Sequence, residues 1–241
     1  MTYQLCFNRV NPDAIAETSI LTRPNHDEPL PLSELAYRQI EEMIVMRRFP
    51  PGSMISENQL SAELACGRTP IREALLRLKL EGFVDIHPRR GALVLSAGIA
   101  KQLELLEVRR PLETLTAELG CRRATPVQRL EMRALGPKLV EAATLGMHPG
   151  YFQLNRAIHE LRIEATHNTV LVHSMRVVYA LSRWFWYSHM NEAAALEEAA
   201  LVHRNLLDAM ADGDVRASVA ASDDLIEFVA RLTQREIERR S

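Results

Sequence analysis

Several things are scarce in this 241-residue chain, and each shortage argues against a class of function. Its three cysteines, Cys6, Cys66 and Cys121, are odd in number, far apart and without CxxC-type spacing. They suggest neither a disulfide framework nor a zinc finger. No apolar run approaches the roughly 18 residues that cross a bilayer, and the N-terminus lacks the charged-then-apolar order of a signal peptide. A cytoplasmic protein with no membrane partner is therefore expected. Positive charge is not in excess, since the formal net charge is −2, which argues against a general nucleic-acid coat. There is no Gly-rich phosphate loop, and no Ser or Cys stands in a nucleophile motif. Aromatics are only 5% of the chain, yet four of them fall together in Arg183-Trp184-Phe185-Trp186-Tyr187. Such a cluster serves as core, as a dimer contact, or as the wall of an apolar ligand site.

What the chain does have is a local concentration of positive charge. Between Gly67 and Leu95, six basic residues (Arg68, Arg72, Arg77, Lys79, Arg89, Arg90) face three acidic ones (Glu73, Glu81, Asp85), a local balance of +3. A basic patch on a mildly acidic body favours site-specific DNA binding. The patch begins at a helix start, where Thr69 is expected to cap free backbone N–H groups and Pro70 suits the first turn. At about 100° per residue, Ile71, Ala74, Leu75 and Leu78 share one side, and Arg68, Arg72 and Lys79 cluster beside it.

The neighbours of this helix decide how to read it. Upstream, Ser56 to Leu64 is a short helix with Ser56 as N-cap, and Ala65-Cys66-Gly67 forms a tight turn, giving a helix-turn-helix. Ser33 to Arg47 supplies a third helix, ended by Pro50-Pro51-Gly52. Downstream, Gly82 closes the basic helix, and Phe83–His87 and Ala92–Leu95 read as strands around Pro88-Arg89-Arg90-Gly91. That hairpin is a wing with a basic tip.

The order helix, helix, turn, helix, basic hairpin resembles the winged helix-turn-helix of the GntR family of bacterial transcription regulators. The resemblance runs over residues 33–95 without a gap and is carried by Pro51-Gly52 before Ser56-Glu57, by Arg68 to Leu78, by Glu81-Gly82 and by Pro88-Arg89-Arg90-Gly91. Two positions depart from it: Ala65 stands where the family usually has Gly, and Gly67 where it has Ser or Thr. The resemblance implies DNA contacts from Asn58, Arg68, Thr69, Arg72, Arg89, Arg90 and Gly91. Chemistry agrees, because a guanidinium pairs bidentately with guanine while hydroxyls and helix N-termini suit phosphate.

After Leu95 the pattern is helical, with helices expected over roughly 98–123, 126–145, 150–166, 169–190, 192–211 and 214–239. The expected fold is mainly α: an extended arm over 1–31, a winged helix-turn-helix over 32–96, and an all-helical domain over 97–241. That last region resembles the FCD effector-binding domain of the FadR subgroup in Leu106 to Glu113, Asn155 to His159, His203 to Leu207 and Gly213-Asp214. Most members of that subgroup build a metal site from an Asp or Asn, a His four residues on, and two later His. Here Asn155, His159 and His203 match, but the last position, twelve residues after Gly213, is Leu225. Zinc or nickel is well held by three imidazoles and poorly by two plus an amide. Asp224 is adjacent but points about 100° away.

Three readings of Asn155, His159 and His203 follow: ligands of a divalent metal, direct effector contacts, or hydrogen-bonded residues of a polar pocket. The resemblance also implies that Arg109 clamps a carboxylate effector, the alternative being a surface ion pair with Glu107 or Glu113. Trp184 is a candidate for the effector wall. His159-Glu160 superficially resembles a zinc-protease helix, but position 163, where a second His is needed, is Ile163. The expectation is a DNA-binding regulator, a homodimer reading an inverted repeat, acting as a repressor under control of a small organic acid. A hydrolase built on His159 and His203, and a helical interaction scaffold, are the alternatives to be tested.

Overall fold

The computed structural model describes residues 30–146, 148–189 and 193–239. All but the last two residues of the expected arm over 1–31 lie outside the described residues. The chain divides into two compact units, one ending at Ser96 and the other beginning at Ala97.

The first unit is built on α1 (Leu32–Val45), β1 (Met54–Ile55), α2 (Glu57–Glu63), α3 (Arg68–Leu80), β2 (Val84–His87) and β3 (Gly91–Val94). Its core is apolar, with Ile40, Ile44, Ile55, Leu60, Ile71, Leu78 and Phe83 all fully buried. Helix α2 starts where expected, the Gln59 amide donating to Ser56 Oγ at 3.1 Å. Helix α3 starts differently. Its N-cap is Gly67, with no side-chain cap, and Thr69 lies inside the first turn, so Thr69 is not the cap. Helix α3 ends at Gly82 (φ +83), whose N–H donates to the Lys79 carbonyl while the Phe83 N–H donates to that of Leu78, a Schellman closure.

The wing has three strands in the order β1-β3-β2, β1 being the strand that hydrophobic patterning did not reveal. Two residues are too short to show a period, and Ile55 earns its place through pairing with Ala92. Gly91 sits where β3 passes β1, at φ +110, and a Cβ there would lie 2.4 Å from the Ile55 carbonyl oxygen. Glycine is required on both counts.

The second unit comprises α4 (Ile99–Arg123), α5 (Pro126–Thr144), α6 (His148–Glu164), α7 (Thr169–His189), α8 (Ala193–Asp212) and α9 (Val215–Glu238). Thr125 and Gln128 form a reciprocal capping box at the start of α5, and Asp214 caps α9. Helix α4 packs against α6, α7, α8 and α9. Its buried stripe is unusual in being largely polar: Gln102, Arg109, Glu113 and Thr116 point inward with Leu105, Ala117 and Gly120. No helix among the described residues is long and apolar enough to cross a membrane.

Candidate functional site

Two regions bring chemistry-bearing residues together, one in each unit. In the first, Arg68, Thr69 and Arg72 are exposed on α3, Asn58 on α2, and Arg89 and Arg90 at the wing tip. Not all the basic residues of this segment are available. Arg77 stacks 3.6 Å over the Tyr37 ring and pairs with Glu34 and Glu81. Lys79 pairs with Asp85 at 3.1 Å and so does not join the Arg68–Arg72 cluster as expected from helical phase. Arg72 donates from Nε to both oxygens of Glu57, at 2.8 and 2.9 Å, an exposed pair that aligns the guanidinium while leaving its outer edge open. Arg68, Arg89 and Arg90 form no ion pair among the described residues. Local charge is thus neutralised by partners except on the first turn of α3 and at the wing tip. Gly91 is half-buried and shapes the wing by its backbone, a structural part to set beside the contact expected of it.

In the second unit, five helices converge on a cavity of about 40 Å³. Its polar lining is Arg109 from α4, Asn155 and His159 from α6, Ser182 and Arg183 from α7, and His203 from α8. Its apolar lining includes Tyr151, Phe152, Trp186, Leu225, Phe228 and Val229. The spacing Asn155, His159 puts two polar groups on one face of α6, and the His203 ring meets the His159 ring edge-on at 5.1 Å. Asn155 Nδ2 donates to His203 Nε2 at 3.0 Å, which leaves the ring proton of His203 on Nδ1. That Nδ1, the Nδ1 of His159 and the indole Nε1 of Trp186 are buried without a partner among the described residues.

Arg109 joins the cavity lining to a buried charged cluster. Glu113 is fully buried and receives Arg109 at 2.9 Å, Arg162 at 2.5 Å and the Tyr179 hydroxyl at 3.1 Å, while Arg109 Nη1 also donates to Ser182 Oγ at 2.6 Å. Burial alone would raise the Glu113 carboxyl, but the Arg162 and Arg109 guanidiniums overcome it and hold the group down at about 2. Burial, reinforced by Arg162 and Arg109, pushes His203 down to about 3. Burial, then His203 and Arg109, likewise hold His159 well below the ordinary histidine value. Both imidazoles are neutral at pH 7. Arg109 is thus neither a surface group nor paired with Glu107; its partner is the buried Glu113, with its body lining the cavity.

Sequence comparisons match both units. Residues 32–94 match the gntR family of bacterial regulatory proteins, and residues 104–228 match the FCD domain. The chain belongs to the GntR family and carries an FCD domain. This is a family of DNA-binding transcription regulators. An uncharacterized HTH-type transcriptional regulator of Bacillus subtilis, YdhC, is 31% identical over 147 residues, 59% of this chain and 64% of that protein. The chain thus spans just under two thirds of that relative's length. The Uxu operon transcriptional regulator of Escherichia coli is 27% identical over 216 residues, 79% of this chain and 82% of that protein. Among solved structures, McbR/YncC of E. coli superposes with a TM-score of 0.75 at 21% identity, covering 86% of this chain and all of that one, a likeness of fold.

The metal that the FCD resemblance implies does not suit these side chains. His203 Nε2 is already engaged by Asn155, Leu225 occupies the fourth position with 1% exposure, and Asp224 is exposed to solvent. Among the described residues no group of three or more His, Cys, Asp or Glu is placed to hold an ion. Two neutral imidazoles and an amide next to an apolar wall make a weak donor set for zinc or nickel.

Other positions are corrected by the structure. Trp184 is buried but is absent from the lining; Trp186 lines the cavity, with Ser182 and Arg183 on the same face of α7. Arg162 was legible and overlooked, for Asn155, His159 and Arg162 stand at i, i+4 and i+7, one face of α6. Tyr179, Ser182, Arg183 and Trp186 repeat that spacing on α7.

Proposed function

We propose that this protein is a homodimeric repressor of the FadR subgroup that reads an inverted-repeat operator in the cytoplasm and releases it when a small organic acid enters the FCD pocket. The observation that carries the DNA half is the pattern of charge in the first unit. Of the basic side chains between Gly67 and Leu95, Arg77 and Lys79 are tied to carboxylates, whereas Arg68, Arg89 and Arg90 are open and Arg72 is pre-aligned by Glu57. The first turn of α3 enters the major groove, and the wing tip lies along the adjacent minor groove. Two heads related by a two-fold axis match a two-fold DNA site.

In the second unit, unpartnered donors and buried guanidiniums in the lining of a cavity support recognition of an acid. The acid acts only through a difference in its affinity for the DNA-competent and released arrangements of the dimer. The relative named for the Uxu operon lends the idea of control over an operon, and the protein works by binding rather than by turnover. Selection of bound sequences from a random DNA pool tests this function. The expected result is a short inverted repeat protected by the wild-type protein and lost with Arg68→Ala and Arg72→Ala together. A protein that recovers no common sequence, or a double variant that binds as the wild type does, overturns it.

A further inference from the structure

We propose that the FCD pocket takes a singly charged organic anion with an apolar body directly, with no divalent metal between protein and ligand. This rests on the reading of the pocket as an effector site and names the class of ligand that the site accepts.

Charge comes first. Arg109 and Arg162 are buried to within 2% and share one carboxylate, that of Glu113. This cluster by itself therefore carries one more positive charge than negative, while Arg183, the other guanidinium in the lining, has an interaction of its own. No aspartate or glutamate is among the described residues that line the cavity, so the missing negative charge has to come with the ligand. Arg162 Nε and Nη1 have no partner among the described residues, consistent with a cluster short of acceptors. A buried unpaired charge is far more expensive than a paired one, which makes a single negative charge stabilising and a dication repulsive.

Hydrogen-bond polarity points the same way. The ring proton on His203 Nδ1 and the indole N–H of Trp186 are buried donors that need acceptors. A carboxylate supplies acceptors and nothing else, whereas a metal ion needs lone pairs. Shape completes the argument. The rest of the lining, with Leu225, Phe228 and Val229, is apolar, and a second carboxylate would have to lose its water against it. One charged head and one apolar body match a lining that is part cationic and part apolar.

The test uses the full chain stripped with EDTA, its melting followed by tryptophan fluorescence. The probes are propionate, butyrate and isobutyrate, chosen small for a cavity of about 40 Å³, with their uncharged amides, the dianion succinate, and Co(II) alone. We expect one or more monocarboxylates to raise the melting temperature and to bind about tenfold more tightly than the matching amide. EDTA should make no difference, and Co(II) should give no tetrahedral absorption band. Leu225→His should create that band with one ion per chain. The proposal is overturned by stoichiometric Co(II) binding to the wild type, by acid binding that needs the metal, by amides binding as well as acids, or by preference for succinate. Should Leu225→His fail to fold, the wild-type Co(II) titration decides the metal question alone. A chain that binds its operator but none of the acids overturns the pocket's ligand class and leaves the DNA reading standing, whereas loss of operator binding strikes that reading instead.

Discussion

The two units place their charges in opposite ways. The winged helix-turn-helix keeps a mainly apolar interior, with Glu41 the one charged residue buried there among the described residues, whereas the FCD domain encloses Arg109, Glu113, Arg162, His159 and His203 within its helices. A surface that reads DNA needs its cations in water until phosphates and base edges replace that water. A pocket that recognises a small acid needs polar groups already desolvated, because only then is a single charge–charge contact strong enough to bias a conformational equilibrium. The difference therefore separates an output surface from an input site, and substitutions on the DNA-reading face should leave the tryptophan-reported stability of the FCD domain unmoved. Both tryptophans of the chain, Trp184 and Trp186, lie in the FCD domain, so their fluorescence reports on that unit.

The largest expected effect is in the sensor. Glu113→Gln leaves two buried guanidiniums without their shared carboxylate, and the tryptophan-reported stability should fall by about 3–5 kcal/mol. A loss under about 1 kcal/mol would mean that the cluster is far better hydrated than its burial implies. On the output side, Arg68→Ala or Arg72→Ala should weaken specific operator binding by about 1–3 kcal/mol in a titration, with the tryptophan melt unchanged. A shifted melt with intact binding would break the separation of the units.

Acid should act on the sensor with a definite sign. His203 titrates near 3 in the folded protein against 6.5 for an ordinary histidine, and His159 is lowered too, so the unfolded chain takes up protons that the folded one refuses. The stabilising contribution is complete above pH 6.5 and is lost as pH falls from there toward 3. Each histidine contributes a slope of about 1.4 kcal/mol per pH unit within its window. Denaturant melts followed by fluorescence at pH 7.5 and pH 5.5 measure it; equal stability at the two values would contradict buried neutral imidazoles.

The smallest effects lie at the helix-turn-helix corner. Ala65 is held at φ +49, and Gly67 caps α3 with no side chain. Ala65→Gly should relieve left-handed strain and stabilise the head by up to about 1 kcal/mol, and Gly67→Ser by a few tenths more. Calorimetry of the head transition checks both. Destabilisation by either would show that the turn is set by something other than local backbone preference.

How much could be read in advance follows from the same contrast. The head was legible because its core obeys helical and strand periods, from Ile40 and Ile44 to Ile71 and Leu78, and because its caps and glycines stand at the element ends. Only β1, two residues long, left no pattern. The FCD helices were legible as helices through breaks such as Thr125-Pro126 and Gly213-Asp214. Their interior was not. On α4 the buried stripe holds Gln102, Arg109, Glu113 and Thr116 while Val108 and Leu115 are exposed, so hydrophobicity points the wrong way. Arg109 and Glu113 looked like one more i, i+4 surface pair because the third member, Arg162, lies 49 residues from Glu113 in sequence. Trp184 and Trp186 differ by about 200° on their helix, and composition alone does not give that phase.

The central claim is that the pocket of the FCD domain controls the DNA-reading surface. Operator affinity of the full, metal-free chain should therefore be measured at rising concentrations of whichever monocarboxylate raises the tryptophan melt. The account predicts that operator affinity falls over the same range of acid concentration in which direct titration of the tryptophan fluorescence shows the pocket filling. An operator affinity that stays constant while the pocket saturates would contradict it.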